Sequence, residues 1–132
     1  MFSLSPTPSQ AQILIVEDDD SAREMYASVL KLNGYRVRTA SDGLAGLRLL
    51  EAFEPDVVVL DLGLPIATGF DVLNELRAVA GTRNTPVIAI SGSDDGLKLA
   101  KANPEFFATI QKPFDVETLV RVVDRAHRHN HN

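Results

Sequence analysis

Three runs of consecutive aliphatic residues, at 13–16, 57–60 and 87–90, most strongly constrain what this chain can fold into. Each run is continuous rather than alternating with polar residues, a pattern typical of strands that are covered on both faces in a parallel sheet. Two weaker runs, at 35–39 and 106–111, mix apolar with polar residues and are predicted to be strands nearer the sheet edges. The sequence therefore predicts five strands in one parallel sheet.

Stretches with the apolar spacing of amphipathic helices lie between and after the predicted strands. Four are clear, and a shorter fifth is predicted at about 94–102, where Gly96 weakens the helix and Pro104 ends the connection. Strict alternation of strands and helices at this length implies a doubly wound α/β sheet with right-handed crossovers and helices on both faces. In such sheets ligands bind beyond the carboxyl ends of the strands, so the residues that follow each strand are candidates for the functional site.

The length of 132 residues suits one folded domain. Residues 1–11, which include several serines and prolines, are predicted to be a flexible leader, residues 12–127 the domain and residues 128–132 a polar tail. The chain has no cysteine, which excludes disulfides and thiolate metal sites and permits a reducing compartment. No signal peptide or membrane-spanning segment is apparent, and we expect a cytoplasmic protein.

Acidic residues outnumber basic ones 18 to 13, and four of the acids form one run, Glu17-Asp18-Asp19-Asp20. A net charge of −5 argues against nucleic acid or an anionic membrane as a partner held by bulk charge. Outside this run the acids and bases nearly balance. The excess negative charge therefore lies mainly in one short segment, which marks that segment as a candidate site. Within the run, Asp19 and Asp20 overrun the strand end and are interpreted as capping residues of the next helix.

Polar side chains follow the predicted strands: Glu17 and Asp18 the first, Asp61 the third, Ser91 the fourth and Lys112 the fifth. Unit charges about 4 Å apart repel by about 4 kcal/mol at an effective dielectric of about 20, so three carboxylates at one edge require positive charge. Lys112 supplies one such charge, and an all-oxygen cluster is what Mg²⁺ or Mn²⁺ prefers. A carboxylate beside a divalent ion, an ammonium and a hydroxyl suits phosphoryl transfer, in which Asp61 would accept the group as an aspartyl phosphate.

These residues resemble those of a known family, the receiver domains of two-component response regulators, chemotaxis regulators among them. The resemblance covers residues 12–126 and implies the flavodoxin-like strand order 2-1-3-4-5 and a cis peptide bond before Pro113. Any one of its motifs is a weak signal, and all of them in this order are a strong one. The motifs are Glu17-Asp18, Asp61-Leu62-Gly63-Leu64-Pro65, Thr68-Gly69, Ser91-Gly92 and Lys112-Pro113-Phe114.

The resemblance also implies a role for each site residue. Asp61 is expected to be the phosphoacceptor, Lys112 to contact the phosphoryl group and Ser91 to be the switch hydroxyl. The expected ligands of Mg²⁺ (or Mn²⁺) are Glu17, Asp18, Asp61 and the backbone carbonyl of Gly63.

By the same resemblance, the chain is a signalling switch and not an enzyme, apart from the phosphotransfer and dephosphorylation that it catalyses on itself. The implied phosphoryl donor is a sensor histidine kinase or a histidine phosphotransfer protein. A downstream protein target is expected on the face made by the fourth helix, fifth strand and fifth helix. Direct contact with nucleic acid or a membrane is not expected, and homodimerisation is left open. Only a short polar segment follows Ala126, so we expect a stand-alone regulator or a receiver from a longer polypeptide.

The chain departs from the family pattern at Thr109, where many receivers have an aromatic residue whose rotamer reports the position of the switch hydroxyl. We predict that Phe107, two residues earlier and on the same face of the strand, partly replaces that aromatic residue. Pro104 and Glu105 stand where many relatives have a small Gly-Ala turn, so an unusual shape is expected before the fifth strand.

Two other functions remain open from the residues alone. One is a receiver-like module that binds partners without being phosphorylated, and the other is a Mg²⁺-dependent phosphatase that passes through an aspartyl phosphate. Such phosphatases place a second aspartate two residues after the nucleophile, where this chain has Gly63. His127, His129 and His131 suggest a metal site by their spacing, but they lack acidic or cysteine companions and are interpreted as solvated side chains.

Overall fold

A computed structural model describes residues 11–64 and 68–130, with the side chain of Asn130 excluded. Within these ranges strands and helices alternate, as predicted, and a short 3₁₀ turn follows the third helix. The elements are β1 (Gln12–Val16), α1 (Asp20–Leu32), β2 (Arg36–Ala40), α2 (Gly43–Leu49), β3 (Val57–Asp61), α3 (Gly69–Ala78), the 3₁₀ turn (Ala80–Thr82), β4 (Val87–Ser91), α4 (Asp94–Lys101), β5 (Ala108–Gln111) and α5 (Val116–Asn130).

The five strands form one parallel sheet in the order β2-β1-β3-β4-β5. This confirms the predicted doubly wound α/β fold and its strand order. The two strands with mixed sequences, β2 and β5, are the edges of the sheet, where one side of each strand is not covered by a neighbour. The switch in strand order lies between β1 and β3, the place at which sheets of this kind bind ligands.

Alternate residues of each strand enter two hydrophobic cores, one on each face of the sheet. On one face, Ile13 and Ile15 of β1 pack with α1 and α5. On the other face, Leu14 and Val16 pack with α2, α3 and α4. The strands β3 and β4 are buried along their whole length, which explains why their sequences are continuous aliphatic runs. Each such side chain contributes about 1.5–3 kcal/mol by its burial, so the centre of the sheet is a firm support for the loops at its ends.

The helix starts are capped by the polar residues that precede them. Asp19 accepts a hydrogen bond from the backbone N–H of Ala22 at 2.8 Å, which confirms its capping role. Asp20 is not a cap: it is the first residue of α1, where its charge suits the helix start, and it pairs with Arg23 at 2.6 Å. Thr68 caps the start of α3 through a reciprocal capping box with Asp71, the third residue of that helix. The side chain of each residue accepts a hydrogen bond from the backbone N–H of the other.

The turn after α1 contains Gly34 with a φ of 95°, a conformation that favours glycine. It sends the chain directly into β2, so only residues 33–35 connect α1 to β2.

The end of the chain differs from the sequence prediction. The helix α5 continues to Asn130, so residues 128–130, predicted to begin a polar tail, are helical. The interpretation of His127 as a solvated side chain is wrong, because its ring is half-buried and lies edge-on against Tyr35. The hydroxyl of Tyr35 donates a hydrogen bond to Asp124, which ties α5 to the start of β2. His131 lies outside the described residues, as do residues 1–10 of the predicted leader and residues 65–67 after β3.

The prediction for Phe107 is also wrong. Thr109 pairs with Ala89 and so faces the core formed with α2, α3 and α4. Phe107 lies before β5 and packs on the opposite core, with its ring 5.4 Å from that of His129. Strand alternation does not apply to Phe107, because β5 begins only at Ala108. The strand β5 itself contains no aromatic residue, so none on that strand takes the place of the one missing at position 109.

The peptide bond between Lys112 and Pro113 is cis, as the resemblance implied. None of the helices in the described part of the chain is long and apolar enough to span a membrane.

Candidate functional site

The strand register brings the predicted site residues to one edge of the sheet. In the pairing of β1 with β3, the residue before Glu17 lies opposite the residue before Asp61, so both carboxylates leave their strands at the same level. In the pairing of β4 with β5, Ser91 lies opposite the residue before Lys112. The prediction that these side chains share one edge follows from parallel strands and is confirmed.

Three carboxylates meet at this edge: those of Glu17, Asp18 and Asp61. One oxygen of each lies within 4.8 Å of the others. Glu17 and Asp61 are only 1% and 6% exposed, whereas Asp18 is exposed to solvent. The cluster therefore has a buried floor and a side that is open to water and to incoming groups.

Lys112 supplies positive charge to the buried side of the cluster. Its ammonium Nζ lies 2.7 Å from Glu17 Oε1 and 3.1 Å from Asp61 Oδ2. The other oxygen of Asp61 accepts a hydrogen bond from the backbone N–H of Gly63 at 2.9 Å. With every group ionised, three carboxylates face one ammonium, so the site has an excess of negative charge that a divalent cation would neutralise.

The close approach of two buried carboxylates moves their pKa values in opposite directions. Burial and the hydrogen bond with Asp61 raise the pKa of Glu17 to about 7, and Lys112 offsets this only in part. Burial also raises the pKa of Asp61, but the hydrogen bonds from Glu17, Gly63 and Lys112 outweigh burial and hold that pKa below its usual range. Burial lowers the pKa of Lys112, but its contacts with the two carboxylates outweigh burial and raise that pKa overall. Asp61 is therefore held as a carboxylate beside a charged ammonium.

Ser91 is buried at the end of β4, and its hydroxyl is engaged with the turn that follows. It accepts a hydrogen bond from the backbone N–H of Ser93 at 3.0 Å and donates to the Ser93 carbonyl at 3.2 Å. In this conformation the hydroxyl is directed to its own loop rather than to Asp61. The Ser91 carbonyl accepts from the backbone N–H of Lys112 at 2.9 Å, so these two predicted site residues are joined through the backbone.

Two glycines support the site in a way that the sequence analysis missed. A Cβ atom on Gly69, the first residue of α3, would lie 2.8 Å from the Asp61 carbonyl oxygen and 2.9 Å from Leu62 Cα. A Cβ atom on Gly96 would lie 2.9 Å from the Ser91 hydroxyl. The sequence shows Gly96 only as a weak helix residue, whereas the structure shows that α4 comes close to Ser91 there.

Arg23 is a further positioning residue that the sequence analysis did not identify. Its guanidinium donates to the backbone carbonyl of Glu17 at 3.0 Å while it pairs with Asp20. The first turn of α1 is thereby tied to the loop that carries Glu17 and Asp18. The one sequence signal was its position three residues after Asp20, a spacing that brings two helical side chains together.

Residues 13–124 match the family model of the response regulator receiver domain. The chain belongs to this family. Two solved receivers share the fold of this receiver domain. The chemotaxis response regulator CheY4 of Vibrio cholerae is 30% identical, with a TM-score of 0.80 over 88% of this chain and 98% of CheY4. The receiver domain of sensor histidine kinase PA1611 from Pseudomonas aeruginosa PAO1 is 28% identical, with a TM-score of 0.79 over 89% of this chain and 98% of the other.

Among curated relatives, the transcriptional regulatory protein KdpE of Mycobacterium tuberculosis H37Rv is 36% identical over 121 residues. The alignment covers 89% of this receiver domain and 51% of KdpE. The chain thus spans about half the length of that relative.

The residues of this receiver domain fit a hard divalent cation. The donors are carboxylate oxygens grouped within 4.8 Å, one of them on the exposed Asp18, and the excess of negative charge matches such an ion. The PA1611 receiver domain has a magnesium ion coordinated in its active site cleft. The Gly63 N–H lies at this cluster, and the metal-binding role of its carbonyl stays a prediction.

Proposed function

We propose that Asp61 of this receiver domain accepts a phosphoryl group from a phosphohistidine of a sensor histidine kinase or phosphotransfer protein, in the presence of Mg²⁺ or Mn²⁺. The observation that carries this proposal is the environment of Asp61: a nearly buried carboxylate, held ionised, with Lys112 on one oxygen and the Gly63 N–H on the other. Such a carboxylate is a nucleophile whose orientation is set before the donor arrives.

The metal ligands in this proposal are Glu17, Asp18, Asp61 and the backbone carbonyl of Gly63. When bound, the divalent ion neutralises negative charge on the carboxylates and on the phosphoryl oxygens. Without such compensation the incoming phosphoryl group would meet three acidic side chains and one ammonium, and repulsion would oppose its approach. Lys112 adds a second positive group beside the position that the phosphoryl oxygens would occupy.

In the transfer step an oxygen of Asp61 attacks the phosphorus, and the bond from phosphorus to the donor imidazole nitrogen breaks. The electron pair of that bond stays on the imidazole nitrogen, and the ring leaves as neutral histidine because its other nitrogen already carries a proton in the donor. The product is an acyl phosphate on Asp61, which water later hydrolyses to the carboxylate and inorganic phosphate. The reaction changes a carboxylate into a larger group with more negative charge, the kind of local event that biases a two-state protein.

The proposed signal passes to the face made by α4, β5 and α5 through contacts that start at the site. Ser91 lies against Gly96 of α4, and its carbonyl binds the backbone of Lys112 at the end of β5. Gln111 of β5 donates to Asp94 at the start of α4 at 3.3 Å. A reorientation of the Ser91 hydroxyl towards a phosphoryl oxygen would break its hydrogen bonds with Ser93 and so disturb the start of α4.

The proposal is tested by incubation with Mg²⁺ and acetyl phosphate, followed by intact-mass measurement. We expect the wild-type chain to gain one alkali-labile phosphoryl group and Asp61→Asn to gain none. Asp95→Asn, which removes an exposed carboxylate on α4, is the matched control and should be modified like the wild type. Modification of Asp61→Asn at equal stoichiometry would exclude the assigned acceptor. An unmodified wild type that still binds its protein partners would favour the module that works without phosphorylation.

A further inference from the structure

The helix α1 presents a row of exposed residues on its outer side, of which Met25 also borders a cleft with Tyr26 and Phe114. Ser21, Met25, Ser28 and Leu32, here called the α1 seam, are separated by four, three and four residues. This is the spacing of the a and d positions of a heptad, with Met25 and Leu32 at a and the two serines at d. All four side chains are exposed, and the opposite side of α1, with Tyr26, packs on the sheet.

The apolar members of the α1 seam are among the most exposed in the described part of the chain. Leu32 is 86% exposed and Met25 is 48% exposed. A helix that serves only its own core carries polar residues on its outer side, whereas here large apolar side chains recur one per two turns. The seam therefore has the composition of a surface that another helix covers.

The charges that flank the seam have opposite signs at its two ends. Glu24 and Lys31, seven residues apart, occupy the g positions and are both exposed. Neither has an ion-pair partner among residues 11–64 and 68–130. The e positions on the other flank, Ala22 and Val29, are apolar and half-buried.

We propose that the α1 seam is a self-association surface, on which α1 of a second copy of this chain packs antiparallel about a two-fold axis. In an antiparallel pair each a residue packs opposite a d residue, so Met25 meets Ser28 of the partner subunit and Leu32 meets Ser21 of the partner subunit. Every layer then combines one large and one small side chain, which is the combination that fills space between close helices.

The flanking charges select the same arrangement. Antiparallel helices bring g positions together, so Glu24 lies beside Lys31 of the partner subunit, and the two-fold axis repeats this pair. A parallel arrangement would instead place Ser28 opposite Ser28 of the partner subunit, and Glu24 beside the apolar Val29 of the partner subunit. The surface is therefore complementary to itself in size and in charge, which is the property that a two-fold dimer requires and that an unrelated partner does not.

One helix of this length covers less than a standard protein interface, so the dimer is expected to be weak and dependent on salt. The surface lies on α1, apart from the α4, β5 and α5 face, and the inference does not depend on phosphorylation of Asp61. The test accordingly uses the unmodified full chain.

Sedimentation velocity over a range of protein concentrations and at low salt tests the arrangement. The wild type should shift from monomer to dimer as concentration rises. Glu24→Lys and Lys31→Glu each replace two attractive pairs with two repulsive ones and should each weaken the dimer by about tenfold or more. An equimolar mixture of the two variants restores both pairs and should dimerise like the wild type, an outcome that misfolding of either variant cannot produce.

Two controls separate the seam from general surface effects. Glu75→Lys makes the same charge change on the exposed side of α3 and should leave the dimer unchanged. Leu32→Ser should abolish dimerisation, whereas Leu99→Ser, at a side chain 62% exposed on α4, should not. A wild type that stays monomeric at every concentration overturns the proposal, and so does a mixture of Glu24→Lys and Lys31→Glu that stays as weak as each variant alone.

Discussion

At the scale of single residues, one run of four acids shows how position decides the role of a side chain. Glu17 is buried against Lys112, and Asp18 is exposed at the open side of the cluster. Asp19 caps α1, and Asp20 pairs with Arg23 one turn later. The residue types are nearly the same, so only the strand end and the helix start that flank the run distinguish metal-binding candidates from capping residues.

Lys112 is expected to stabilise the fold as well as to serve the site. Lys112→Met leaves Glu17 and Asp61 close together without their cation, and we expect a loss of about 2 kcal/mol in the free energy of unfolding without Mg²⁺. Because the variant site is more negative, added Mg²⁺ should recover more stability in it than in the wild type. Urea unfolding with and without Mg²⁺ measures both effects.

Lys98→Met, which removes an exposed lysine from α4, is the control for that experiment and should change little. An equal loss in the two variants would show that the ion pairs of Lys112 do not stabilise the folded state.

Gly69 is expected to be indispensable because of its surroundings rather than its backbone angles. Gly69→Ala places a methyl group 2.8 Å from the Asp61 carbonyl oxygen and 2.9 Å from Leu62 Cα, and these backbone atoms cannot move aside as the nearby Leu62 side chain can. We expect a loss of about 1–3 kcal/mol in the free energy of unfolding, measured by thermal or urea unfolding. In Gly92→Ala the nearest neighbour of the new methyl group, Lys112 Cβ, is 3.8 Å away, so this matched variant should lose much less. Similar losses in both would contradict the steric explanation.

At the scale of elements, the fold was predictable where one strong pattern governs a segment. Continuous aliphatic runs predicted the three central strands, and the acids that overrun the first strand, Asp19 and Asp20, marked the start of α1 correctly. The site was predictable to the same degree, because polar residues at the ends of parallel strands must share one edge. Phe107 was predicted wrongly, because strand alternation was extended one residue beyond the true start of β5.

Contacts between elements that are distant in sequence could not be predicted from local patterns. Arg77 of α3 is the clearest case. Its guanidinium binds the backbone carbonyls of Thr82 and Thr85 and both the carbonyl and side chain of Glu105, at 2.8–3.1 Å. It therefore ties α3 to the loop before β4 and to the turn before β5. Nothing in the spacing of Arg77 and Glu105 along the sequence indicates this contact.

Arg77→Met is expected to loosen that end of the molecule. Because three backbone carbonyls lose a charged donor, we expect the free energy of unfolding to fall by about 2 kcal/mol. Hydrogen exchange should rise in the loops before β4 and β5, while the site at the opposite end of the strands keeps its reaction with acetyl phosphate. Arg83→Met, at an exposed arginine close by, is the control. If both variants are equally stable, the Arg77 contacts contribute nothing net.

At the scale of the whole molecule, the candidate site is a property of the assembled sheet. Its residues come from the ends of β1, β3, β4 and β5, and no two of the segments that carry Glu17, Asp61, Ser91 and Lys112 are adjacent in sequence. The carboxylate cluster therefore exists only when the strands are paired in their native register. A ligand that needs this cluster must bind the folded state far better than the unfolded chain.

It follows that Mg²⁺ should stabilise the whole domain by mass action. At a free concentration of about 100 times its Kd, the expected gain in the free energy of unfolding is about 2.7 kcal/mol. Asp18→Asn tests the cluster with little risk to the fold, because Asp18 is exposed and offers its oxygen only at the open side. We expect this variant to have wild-type stability without metal and to lose most of the gain at the same Mg²⁺ concentration, whereas Asp95→Asn should keep it. If Asp18→Asn and the wild type respond equally to Mg²⁺ in urea unfolding, the ion acts elsewhere and the carboxylate cluster is not its site.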